Sequence, residues 1–184
     1  TFFFFFKICK IWQIHDEIVN FAQQNINAMK VNPQERAERA RQYFLEGYNC
    51  AQAVFLTYQD FTPLDHTTVA TIAAPFGGGM GRLREVCGTV SGMLMVASYL
   101  RPNSQPNDAP NKKACYQTVQ SLAEAFRREN GSIVCRELLG LTVQKEDPTP
   151  SPRTEEYYRR RPCAEYVAIA ARIVGEKINE MEEE

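Results

Sequence analysis

Four cysteines stand where helices are expected to begin: Cys50 in GYNCAQAV, Cys87 in FGGGMGRLREVCGTVSG, Cys135 in CRELLG and Cys163 in RPCAEYV. A thiol in the first turn of a helix meets free amide N–H groups and the positive end of the helix dipole, which favour the thiolate. The thiolate is the form that attacks disulfides and ligates metals. The chemistry on offer is therefore thiol–disulfide exchange, electron transfer, or thiolate binding of a metal ion or iron–sulfur cluster. Cys87 is the expected attacking thiolate because the glycine loop before it leaves it approachable, with Cys50, Cys135 or Cys163 resolving the mixed disulfide. Cys115 falls on an apolar helical stripe and is expected in the core as a small hydrophobe. Cys9 precedes Met29 and stands outside the argument.

Spacing narrows these choices. There is no C-x-x-C, no C-x-x-C-H and no Cys/His cluster of the zinc-finger kind, so the four thiols have to converge from distant helices. The histidines are His15 and His66; His66, beside Asp65 at a helix start, is expected to be a solvated surface residue, and no Ser-His-Asp arrangement exists. The glycine run lacks the lysine and Ser/Thr of a Walker loop and the strand that precedes a dinucleotide fingerprint. Gly77, Gly78, Gly79 and Gly81, with Arg82 and Arg84, remain a weak candidate for cofactor or anion binding. The plainer reading is a tight reversal between two helices, with glycine allowing positive φ.

The elements that must position these thiols read as helices throughout. Asn32, Pro33 and Glu35 form a capped start, Ala37, Ala40 and Phe44 mark its inner face, and Gly47 stops it. Asn49 opens a second helix, with Val54 and Tyr58 continuing the face. Thr62, Pro63 and Asp65 open a third, with Val69, Ile72, Ala73 and Phe76 as its stripe. The stretch from Val86 to Leu100 is apolar almost all round, as in a buried central helix, and Gly88 and Gly92 allow another helix close. After a proline-rich loop, Cys115, Val119, Leu122 and Phe126 recur at helical spacing until Gly131. Ser132 caps a short helix through Cys135, Leu138 and Leu139. Residues 142–153 form a loop that composition marks as solvated. The last helix starts at Pro162 and Cys163 with Val167, Ala170, Val174 and Ile178 inward. No strand pattern competes, so the fold class is all-α: a compact bundle of about five to six helices with a glycine-rich helix–helix loop.

The 184 residues are 44% hydrophobic with a formal net charge of −1, which suits one soluble domain and offers no electrostatic footprint for nucleic acid. No apolar run is long enough to cross a bilayer. Residues 29–184 read as the single helical domain. Residues 1–28, opening TFFFFFKICKIWQ, read as an N-terminal extension, a leader or an expression remnant; an ordered aromatic run there would pack on a partner or a second copy. A chain of this size buries its own core without disulfides, so a reducing, cytoplasmic setting is expected.

Taken together, GYNCAQAV, FGGGMGRLREVCGTVSG, CRELLG and RPCAEYV resemble the C-GCAxxG-C-C family of redox-active proteins over roughly residues 34–175. The family's four cysteine positions fall on Cys50, Cys87, Cys135 and Cys163. Where the family has Gly-Cys-Ala this chain has Val86-Cys87-Gly88, retaining the thiol and the later Gly92. The resemblance implies redox activity with a redox partner that it leaves unspecified. Association of some relatives with metal or cluster proteins keeps a cofactor open. Three readings stand at this point: thiol redox or electron transfer, a metal or iron–sulfur site on the same four thiolates, and a helical interaction protein with structural cysteines.

Overall fold

Asn32 closes an extended stretch, and its side-chain oxygen accepts hydrogen bonds from the amides of Gln34 and Glu35, turning the chain into α1 (Pro33–Leu45). The computed structural model describes residues 30–142 and 145–183; residues 1–28 with Cys9 and His15, and Met29, lie outside the described residues. A reciprocal capping box starts α2 (Cys50–Thr57). Asn49 accepts from the amides of Ala51 and Gln52, while the Gln52 side chain accepts from the Asn49 amide.

The third helix, α3 (His66–Ala73), begins later than expected. Asp65 is its cap, accepting from the Thr68 amide, whereas Thr62 donates to the Gln59 carbonyl and closes the 3₁₀ turn Gln59–Phe61. Its buried face is Val69 and Ala73, and Ile72, expected inside, is 45% exposed. The central helix α4 (Gly88–Leu100) is followed by α5 (Ala109–Asn130), capped by Asp108, then by α6 (Cys135–Leu138). A short helix that the sequence reading did not assign, α7 (Glu155–Arg160), precedes α8 (Cys163–Glu183). Six helices of eight residues or more, and no strand among the described residues, make the fold all-α.

α8 packs along α1, α4, α2 and α5, and α2 lies across α4. Phe44, Val54, Phe55, Met93, Phe126, Val174 and Ile178 fill the space between them, all essentially inaccessible. Burying side chains of this size contributes about 1.5–3 kcal/mol each. Cys115, expected in this core, is only half-buried and stands outside it, because α5 turns just a narrow stripe (Thr118, Leu122, Phe126) inward. At the α2–α4 crossing the backbones nearly touch. A Cβ on Gly92 would lie 2.6 Å from the Ala51 carbonyl oxygen, so only glycine permits the approach.

Candidate functional site

The close crossing sets two helix starts side by side. Cys50 is the first residue of α2 and Cys87 caps α4, so that a Cβ on the intervening Gly88 would sit 3.3 Å from the Cys50 Cβ. Cys135 reaches the same place through an isolated antiparallel bridge between Val86 and Val134. The Cys87 amide donates to the Ile133 carbonyl (2.9 Å) and the Cys135 amide to the Glu85 carbonyl (2.6 Å). Cys87 and Cys135 therefore share one face of the bridge on its diagonal, a relation that separates side chains by about 7–8 Å. Cys163 opens α8, where the Pro162 carbonyl accepts from the amides of Glu165 and Tyr166.

All four thiols line one cavity of about 370 Å³, floored by the helix starts and roofed by residues 148–153. Cys50 is half-buried; Cys87, Cys135 and Cys163 are 5%, 5% and 8% exposed. The neighbouring Cys163 thiol first and burial second push the Cys50 thiol well up. Cys87 does not behave as its helix-start position predicts. Burial, aided by the neighbouring Cys50 and Cys135, pushes its thiol up to about 12. Taking a thiolate out of water costs more than the amide groups at the helix start return. Burial also raises Cys135, although Arg84 and Arg161 oppose the rise, Arg84 through an Nη1 contact of 3.7 Å to Sγ.

The glycine run now has a mechanical reading. Gly78, Gly79, Met80, Gly81, Arg82 and Arg84 all have positive φ, so the left-handed backbone extends past the glycines. A Cβ on Gly79 (φ +70°) would fall 2.6 Å from the Cys135 Cβ, so this glycine makes room for the thiol. The turn is held by charge. Arg82 donates to the Asp147 carbonyl (2.5 Å), to Ser151 Oγ (3.2 Å) and to Glu146 (2.5 Å), leaving its guanidinium occupied by the roof. Arg84, 2% exposed, also pairs with Glu146, and Arg161 approaches the same carboxylate at 4.0 Å. Burial pushes the Glu146 carboxyl up, but Arg84, Arg82 and Arg161 together hold it below the ordinary value.

The loop read as solvated is thus part of the site. Pro148, Pro150, Ser151 and Arg153 line the cavity, and Arg153 donates to the Phe44 (2.5 Å) and Tyr48 (2.8 Å) carbonyls. Glu146, Arg153, Tyr157, Arg161 and Tyr166 escaped sequence reasoning, since no local pattern distinguishes them from surface residues. His66 is exposed as expected, and additionally meets the Tyr48 hydroxyl at 2.8 Å.

The metal reading meets a geometric test here. Among the described residues no group of three or more His, Cys, Asp or Glu side chains is placed to hold a metal ion, so the thiols converge without forming a ligand set. No described helix is long and apolar enough to cross a membrane. A family model described as "Putative redox-active protein (C_GCAxxG_C_C)" matches residues 48–177. No curated protein and no solved structure gives a match.

Proposed function

The chain belongs to the C_GCAxxG_C_C family of redox-active proteins, and from that premise we propose that it performs thiol–disulfide exchange with Cys50 and Cys163 as the cycling pair. The observation that carries this reading is that Cys50 and Cys163 are neighbouring thiols on the wall of one cavity. The Cys50 thiol is pushed well up by Cys163 and by burial, which suits it to the second, resolving step and assigns the first attack to Cys163. Cys163 also begins a 21-residue helix, where amide N–H groups have no partner within the helix. This reading moves the attacking role from Cys87, whose proton is held to about pH 12, to Cys163.

The exchange runs in two displacements. The Cys163 thiolate attacks one sulfur of a disulfide, forming a mixed disulfide and expelling a thiolate that takes up a proton. Cys50, losing its proton as it attacks, then displaces the second thiol and leaves a Cys50–Cys163 disulfide. Two electrons pass from the protein pair to the substrate disulfide, which becomes two thiols. Cys87 and Cys135 lie diagonally across the bridge and need backbone movement to pair with each other, which argues for a supporting role.

Anaerobic treatment of the reduced protein with 2-hydroxyethyl disulfide, followed by peptide mapping, tests the assignment. The expected product joins Cys50 to Cys163. Cys50→Ser should stall with a mixed disulfide on Cys163, and Cys163→Ser should leave Cys50 unmodified. A protein that keeps every thiol free, or a disulfide joining other cysteines, refutes the pair.

A further inference from the structure

The cavity beside the thiols carries an uneven charge. Arg82, Arg84, Arg153 and Arg161 line it, and no Asp or Glu does. Glu146 is the carboxylate that Arg82, Arg84 and Arg161 share from behind the wall. Among the described residues Arg153 makes no ion pair; its guanidinium rests on two backbone carbonyls and over the Phe44 ring at 4.4 Å. Four cations stand against Glu146 and, near Arg82, the Asp147 carboxylate, so positive charge is in excess among the described residues. A second observation points the same way. The Nε of Arg84, a residue 2% exposed, is buried without a hydrogen-bond partner. A buried charged donor left unmatched is costly unless something completes it.

Size and access restrict the ligand further. A cavity of about 370 Å³ is at the small-molecule end of binding sites. Cys163 is 8% exposed and Cys50 half-buried, so the thiols open mainly into the cavity. Resting on the thiol-exchange reading above, we propose that the cavity takes a small disulfide bearing carboxylate groups. The carboxylates are held by Arg153 and Arg161, with the Arg84 guanidinium adding charge from the wall, while the S–S bond meets Cys163. The reaction balances as before: the carboxylate-bearing disulfide gains two electrons and two protons and leaves as two thiols, and Cys50 and Cys163 become a disulfide. The arginines bind and orient; they take no part in the bond exchange.

Single-turnover oxidation of the reduced full chain by three probes tests this: 3,3′-dithiodipropionate (anionic), 2-hydroxyethyl disulfide (neutral) and cystamine (cationic). Each rate is divided by that of the same chain unfolded in urea, which removes the probes' intrinsic reactivities. The dicarboxylate is expected to exceed cystamine by about tenfold or more at low ionic strength, and the ratio to shrink in 1 M salt as the Debye length falls to about 3 Å. Arg161→Gln should slow the dicarboxylate several-fold more than it slows the neutral probe. Arg161→Lys should keep most of the preference, which separates lost charge from lost folding. Equal normalised rates for the three probes, or an unchanged preference in folded Arg161→Gln, overturns the carboxylate assignment alone. Failure of all three probes to oxidise the pair overturns the exchange reading, and this inference with it.

Discussion

Cys87 caps α4, where free amide groups favour a thiolate, yet its side chain is enclosed between α2 and the Val86–Val134 bridge. Burial, with Cys50 and Cys135 nearby, sets the thiol at about 12 against an ordinary value of 9.0. The sign of the consequence follows from which state releases the proton first. Above pH 9 the unfolded chain ionises at this residue while the folded chain does not, so the stability this thiol contributes is complete below pH 9 and is lost as pH rises toward 12. At pH 10 the loss is on the order of 1 kcal/mol. Urea midpoints of the reduced protein at pH 8 and pH 10 measure it: Cys87→Ala should fall less between the two than the parent does. An equal fall would place the alkaline sensitivity at other residues.

At the scale of elements, the site depends on how closely α2 and α4 cross. Helix–helix contacts of this kind tolerate no Cβ where one backbone faces the other, and the Gly92 position lies 2.6 Å from a carbonyl oxygen that has no rotamer to retreat into. Gly92→Ala is therefore expected to destabilise the fold by about 1–3 kcal/mol, read as a lower urea midpoint with unchanged slope. Because the same crossing carries Cys50, the variant should also form the Cys50–Cys163 disulfide more slowly. Normal stability in Gly92→Ala would show that the crossing can open without loss. The helix starts themselves were legible beforehand at Asn32 and Asn49, where the capping bond spans two or three residues. At α3 the choice between Thr62 and Asp65 was decided by a 3₁₀ turn that took the Thr62 hydroxyl for itself.

Across the whole molecule, Glu146 joins the glycine turn, the roof loop and the residue before Pro162 through Arg82, Arg84 and Arg161. Its carboxyl is held below the ordinary value, so the stability it contributes is present at neutral pH and is lost as pH falls through that depressed value. Glu146→Gln leaves the buried Arg84 guanidinium without its counter-ion. A loss of about 2 kcal/mol is expected, less than for a fully buried pair because Glu146 is partly solvated. With the roof loosened, Cys135 should react faster with iodoacetamide under native conditions. Alkylation at the parent's rate would mean that the roof is held by the Arg153 contacts instead.

Much of this protein is local in origin. All-helical architecture, the placement of Cys50 at the first position of a capped helix, and the reversal after Phe76 follow from capping side chains and glycines acting over a few residues, whereas α4 and α6 start without a side-chain cap. The sequence alone determines that four thiols stand at helix starts. It does not determine which thiols meet, because Cys50 and Cys163 come together only through the packing of α8 on α2. Nor does it determine their charge: desolvation and neighbouring thiols reverse the shift a helix start would produce. The arginine-lined cavity is tertiary for the same reason, since solvation and Coulomb interactions depend on distance in space and not along the chain.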